Sequence, residues 1–252
     1  MARILLLLPT ETYRASDFLE AATALRAEVV VATDRRLAIS SVLGERAVHL
    51  DLSNPEASAR KIVELARRDH LDAIVPVDDQ GVVVAALAAK RLGLRHNPIE
   101  AALATRDKAA MRDSLGAAKI RQPDYRLAIA DSDIGALADS VGWPCVIKPL
   151  SLAASRGVIR ADNRVEAIAA AQRARGISIA AGGDDRLLVE RYLPGEEVAV
   201  EGLLLGGALD VLAVFDKPDP LEGPYFEETL YVTPSRLPEA VVEAITQTTA
   251  AA

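Results

Sequence analysis

The first 97 residues alternate short apolar runs with segments of helical period, and few folds accept that alternation. Arg3–Leu8 carries five apolar residues in a row, Glu28–Ala32 contains Val29-Val30-Val31, and Val48–Leu52 and Ala73–Pro76 continue the series. A strand apolar at successive positions, not at every second one, must be covered on both faces, as strands of a parallel sheet are. Helical segments fall between them: Ser16–Arg26, Pro55–Asp69 and Gln80–Leu92. Ser53-Asn54-Pro55 is a helix start and Gly93 a helix stop. Strand–helix–strand connections then predict a Rossmann-like α/β unit with a parallel sheet.

In open sheets of this kind ligands gather at the carboxyl ends of the strands. Pro9–Thr12, Thr33-Asp34 and Pro76-Val77-Asp78-Asp79-Gln80 occupy those ends. Asp78-Asp79 either caps the next helix or contributes to a carboxylate or amine pocket. Pro9-Thr10-Glu11-Thr12 stands where a dinucleotide-binding unit has Gly-x-Gly-x-x-Gly, which argues against NAD(P).

From residue 98 the character changes to α+β. Helices are expected at Pro98–Ala104, Asp107–Gly116 and Asp131–Val141, with a strand near Asp124–Ala128. Strands follow at Cys145–Lys148, Val158–Arg160, Leu187–Tyr192, Val198–Leu205 and Ala208–Phe215, interrupted by a helix over Arg164–Arg175. Gly206-Gly207 between two apolar runs is a hairpin signal, so the last two strands should be antiparallel. A Pro/Glu-rich stretch, Asp216–Pro224, and a helix over Pro238–Ala252 complete the chain.

The net charge of −7 disfavours a nucleic-acid partner, whose phosphates require clustered Lys and Arg. Any basic site must be local. A single cysteine, Cys145, excludes an intrachain disulfide, and its Val-Ile setting reads as a buried structural thiol. His49, His70 and His96 are too scattered for zinc spacing. The Ile4–Leu8 run is too short to span a membrane, so a cytoplasmic protein with no membrane partner is expected.

Two lysines 40 positions apart carry the chemistry. Lys108 heads a helix in Thr105-Arg106-Asp107-Lys108, where it is either a phosphate ligand or a solvated helix residue. Lys148 ends the run Cys145-Val146-Ile147 and precedes Pro149. An ammonium there is costly to bury unless something anionic meets it. Downstream come a turn, Ser151-Leu152-Ala153-Ala154-Ser155-Arg156-Gly157, and then Leu187–Leu193 with Pro194-Gly195-Glu196-Glu197.

In order and spacing, these elements resemble the nucleotide site of the ATP-grasp superfamily, in its carboxylate–amine ligase branch (the L-amino acid ligase, carbamoyl phosphate synthase large-chain and biotin carboxylase type). The resemblance implies a pre-ATP-grasp domain at 1–97, a first lobe at 98–186 and the start of a second lobe at 187–252. It implies ATP bound by Lys108 and Lys148 at the phosphates and by Ser155, Arg156 and Gly157 at the end of a phosphate-covering flap. Backbone groups of Arg191, Tyr192 and Leu193 would meet the adenine edge. The Glu190 carboxylate or nearby carbonyls would accept from the adenine amino group, and Glu197, seven positions on, would hold the ribose. The implied reaction joins a small-molecule carboxylate to an amine through an acylphosphate, with Mg2+ as the metal.

The sequence departs from that pattern in two places. Leu152-Ala153-Ala154 replaces glycines of the flap, and no Glu-x-Asn, the family's metal-binding motif, follows Glu197. The pair Glu227-Glu228 either coordinates magnesium or forms a solvated strand edge. The expectation is therefore a C-terminally truncated, split or degenerate member with weak or absent magnesium binding. Apolar surface would remain where later strands pair, making a homodimer unsurprising. A non-catalytic nucleotide-binding or regulatory module is the alternative reading, and a Rossmann NAD(P) enzyme a weaker one.

Overall fold

The computed structural model describes residues 1–35, 47–226 and 229–252. Glu227-Glu228 therefore lie outside the described residues. The chain divides into two compact units, Met1–Arg106 and Asp107–Ala252.

The first unit holds a four-stranded parallel sheet of β1 (Arg3–Leu7), β2 (Glu28–Thr33), β3 (Ala47–His49) and β4 (Ala73–Pro76), in the order β3-β2-β1-β4. The consecutive leucines of β1 serve both faces. Leu5 and Leu7 pack with Val30 and Ile74 beneath α2 (Pro55–Arg68) and α3 (Val82–Leu92). Leu6 and Leu8 face the other way, with Phe18 of α1 (Ala15–Ala24). Asn54 caps α2 by accepting from the Ala57 N–H, with Pro55 in the first turn, and Gly93 ends α3 at φ +68°. The third expected helix opens later than its pattern suggested. Asp79–Gly81 forms a 3₁₀ turn, capped by the Asp78 carboxylate at the Asp79 N–H, and α3 starts at Val82. Asp79 pairs with Arg106, and α4 (Ile99–Ala104) completes this unit.

The second unit begins with α5 (Lys108–Ala117), whose cap Asp107 accepts from the Ala109 and Ala110 N–H groups. An antiparallel sheet follows, built from β5 (Tyr125–Ala128), β6 (Cys145–Pro149), β7 (Ile159–Ala161) and β8 (Leu187–Arg191), in the order β5-β8-β6-β7. β8, which opens the segment expected from 187, is thus an interior strand of the sheet begun before it. One face packs on α6 (Ile134–Val141) and α7 (Arg164–Ala180): Cys145, Ile147, Leu187 and Val189 meet Ala138, Ala167, Ala171 and Ala174. Small helix residues let helix and sheet approach closely. α7 continues past the expected stop at Arg175 and through Gly176, because Ser178, 1% exposed, is anchored by its hydroxyl to the Asp184 carbonyl.

A long hairpin, β9 (Glu197–Leu205) and β10 (Ala208–Lys217), forms a separate two-stranded antiparallel sheet. Gly206 and Gly207 make its turn at φ +61° and +83°. Leu203, Leu204 and Leu205 of β9 are all more than 60% exposed, and α8 (Glu239–Ala251) buries no residue. Among the described residues no helix is long and apolar enough to cross a membrane.

Candidate functional site

The strand period sets the site. Alternate residues share a face, so Val146 and Lys148 of β6 lie with Leu188 and Glu190 of β8, opposite the α6–α7 face. Lys148 stands opposite Leu188 in the register and Val146 opposite Glu190, so Lys148 and Glu190 are diagonal neighbours. α5 covers this face, with Ala109 packed on Leu188 and Leu150.

Glu190 is 6% exposed, and a carboxylate so placed requires compensation. It has two cations. Oε1 takes the Lys148 ammonium in a direct ion pair. Oε2 accepts from Arg112 Nε and Nη2 at 3.1 and 3.0 Å, a forked contact from the second turn of α5. One buried carboxylate thus holds two cations, leaving a local charge of +1. Arg112 is not among the candidates read from the sequence. A signal for it exists nonetheless: it lies four residues after Lys108 on one helix, hence on the same helical face.

Lys108 is half-buried. Its ammonium donates to the Leu150 and Leu152 carbonyls at 3.2 and 2.6 Å, at the root of the Ser151–Gly157 turn. The two lysines therefore come to the two ends of one short segment: Lys148 in the strand, Lys108 against the turn that leaves it. Within the turn, Ala154 and Ser155 adopt φ of 55° and 52°, and Gly157 74°. Arg156 is exposed, while Gly157 is buried against Pro149.

The hinge after β8 is partly committed. The Arg191 N–H donates to the Asp124 carbonyl and the Tyr192 N–H to Pro144, both at 2.9 Å. The Leu193 N–H has no partner among the described residues, and the residue is 59% exposed. Tyr192 and Pro194–Glu197 then line a cavity of about 460 Å³ with Asp216–Leu221 and Arg236. That volume suits a drug-sized ligand. Glu197 lies in it, ion-paired to Lys217 directly across the hairpin. Asp216 is held by the Ser235 hydroxyl and the Arg236 N–H, which lower its pKa and tie the cavity wall together.

A larger recess, about 1040 Å³, lies between β7, α7 and Gly223–Tyr225. Arg160 there is bound to Asp162 and to the Glu222 carbonyl, and Arg173 lies over the Tyr225 ring. None of the lysines of the two-lysine pattern lines it. Cys145 is fully buried and its thiol is pushed up to about 11, chiefly by burial, so it is a packing residue. Among the described residues no group of three or more His, Cys, Asp or Glu side chains is arranged to hold a metal ion.

The chain thus joins a parallel α/β unit to an α+β unit whose antiparallel sheet carries an inward lysine, a turn and an acid-punctuated strand end. Comparison with known families agrees: residues 19–96 match the ATP-grasp N-terminal domain and residues 141–252 the ATP-grasp domain. The chain belongs to the ATP-grasp superfamily. It is 28% identical over 218 residues to an alanine–anticapsin ligase of Bacillus subtilis, covering 79% of this chain and 46% of that protein. It is 37% identical over 107 residues to a D-alanine–D-alanine ligase of Synechococcus, covering 40% of this chain and 29% of that protein. The L-amino acid ligase of Bacillus licheniformis shares its fold, with a TM-score of 0.76 at 21% identity over 100% of this chain and 59% of that one. The chain thus spans less than half the length of these two curated relatives.

Proposed function

We propose that the protein to which this chain belongs is an ATP-dependent ligase that joins a small-molecule carboxylate to an amine. The observation that carries this reading is the cluster of buried Glu190 with the half-buried Lys148 and Arg112, net cationic, on the sheet face beneath α5. The names of the relatives, alanine–anticapsin ligase and D-alanine–D-alanine ligase, favour amino acids as the substrate class.

Phosphoryl transfer needs positioning and charge neutralisation more than covalent chemistry from the protein. Lys148 supplies a positive charge at the strand end. Lys108 holds the turn whose Ser155, Arg156 and Gly157 would cover the phosphates. The Glu190 carboxylate or nearby hinge carbonyls would accept from the adenine amino group, with the Leu193 N–H as donor to the base. Glu197 would hold the ribose hydroxyls. With ATP so placed, a substrate carboxylate oxygen attacks the γ-phosphorus and ADP leaves. The amine nitrogen then attacks the acylphosphate carbon, inorganic phosphate leaves, and an amide remains. Among the described residues no group of three or more His, Cys, Asp or Glu side chains fits magnesium, so none of them is given a metal-holding role.

Calorimetric titration of ATP, with and without magnesium, into the chain and its Lys148→Ala variant tests the nucleotide site. Binding that the substitution weakens at least about tenfold supports it. Equal binding by both proteins rejects Lys148 as a phosphate ligand, and retained ATP binding without amide formation favours a non-catalytic nucleotide module.

A further inference from the structure

The Glu190 carboxylate has one more cation than its charge requires, and the two cations differ in kind. Arg112 presents a planar fork to Oε2 from a helix fixed at its start: Asp107 caps α5 and pairs with Arg186 at 3.2 Å. The Gln122 amide donates to the Arg112 carbonyl at 2.8 Å, fixing the second turn as well. Lys148 presents a single ammonium on a flexible four-carbon stem, near the end of a strand that leads into Ser151–Gly157.

We propose that Arg112 is a positioning residue for phosphate binding: it keeps Glu190 paired, so that the Lys148 ammonium can leave that carboxylate for an incoming phosphate. The proposal rests on the nucleotide reading above and assigns the role to a residue outside the ATP contacts. Were Lys148 the sole counterion, its departure would strand a carboxylate that is 6% exposed, and removing one member of a buried pair is strongly unfavourable. Lys148 would then be held back, and only the small fraction of molecules with a freed ammonium would bind phosphate. With the guanidinium retained on Oε2, Glu190 stays charged and hydrogen-bonded whether Lys148 faces it or faces the ligand. Arg112 makes the exchange of partners possible, and Glu190 keeps the ammonium in place until a phosphate arrives.

The test compares ATP with adenosine, which shares the base and ribose but has no phosphate, by calorimetry on the 252-residue chain. Arg112→Gln is expected to lower ATP affinity by at least about tenfold while leaving adenosine affinity unchanged. Arg112→Lys should restore most of the loss, as should Glu190→Gln added to Arg112→Gln, which removes the anionic trap. Equal losses for ATP and adenosine, or no loss for ATP, would overturn the proposal. If Arg112→Gln alone does not fold, the double variant decides: ATP binding no better than that of Lys148→Ala also overturns it. Failure of the intact chain to bind ATP would remove the nucleotide reading itself, whereas an intact chain that binds ATP regardless of Arg112 removes only this proposal.

Discussion

Lys217 and Glu197 stand directly opposite each other at the open end of the β9–β10 hairpin, and their side chains form an ion pair in the wall of the 460 Å³ cavity. The pair aims one carboxylate into the space reached by Tyr192 and Pro194. If that carboxylate receives ribose hydroxyls, Glu197→Gln should reduce the preference for ATP over 2′,3′-dideoxy-ATP by about tenfold, since hydrogen bonds to a charged group contribute about 1.5–3 kcal/mol. Parallel titrations of the two nucleotides measure it, and an unchanged ratio rejects the role.

The cluster around Glu190 predicts unequal effects of its members on stability. Glu190→Ala leaves two poorly solvated cations facing each other and should cost about 3–5 kcal/mol. Lys148→Ala should cost clearly less, because Arg112 still satisfies Glu190. Urea denaturation of both variants checks the order, and equal losses would contradict the partition of the carboxylate oxygens.

Gly157 holds φ +74°, and a Cβ there would lie 2.9 Å from the Pro149 ring. Gly157→Ala should therefore destabilise the second unit by about 1–3 kcal/mol, combining left-handed strain with a contact against a rigid ring. A melting temperature equal to that of the parent protein would show that the turn relaxes freely.

Burial divides the apolar residues sharply. Ile147 is fully buried between α6 and α7, so Ile147→Ala should cost about 2–5 kcal/mol. Leu204 is 65% exposed on β9, and Leu204→Ala should change stability by no more than about 0.5 kcal/mol. Chemical denaturation of the pair decides whether the α6–α7 face is the core of this unit.

The thiol gives a pH test. Burial, with the Asp162 carboxylate adding to it, raises Cys145 to about 11, so the folded state prefers the neutral form. An unfolded thiol ionises near about 8.5. This contribution to stability is complete below that pH and is lost as pH rises from there through about 11. Cys145→Ala should flatten the alkaline side of the stability profile, and native Cys145 should resist thiol reagents until denaturant is added. Rapid labelling of the native protein would refute the assignment.

Much of the fold is local enough to read from the chain. The leucine run of β1 demanded a sheet covered on both faces, and Asn54-Pro55, Gly93 and Gly206-Gly207 marked boundaries because each satisfies a backbone geometry within a few residues. Lys148 was visible for the same reason: an ammonium closing a Val-Ile strand is anomalous within a window of four residues. The 3₁₀ turn at Asp79–Gly81 and the run of α7 through Gly176 were not visible: Gly81 lies close against Leu7 of β1, and α7 is anchored beyond its own end, by the Ser178 hydroxyl at the Asp184 carbonyl.

The sequence by itself determined which segments are strands and helices, the both-sided burial of the first sheet, and the presence of an inward cation at Lys148. Those are consequences of side-chain period and backbone permissiveness, which act over one or two turns. Only the tertiary structure decided that β8 lies between β5 and β6, bringing Glu190 to Lys148 across 42 positions and to Arg112 across 78. The charges were present in the sequence, but the pairing of a buried carboxylate is set by strand order and by the helix laid over it, neither of which has a local signature.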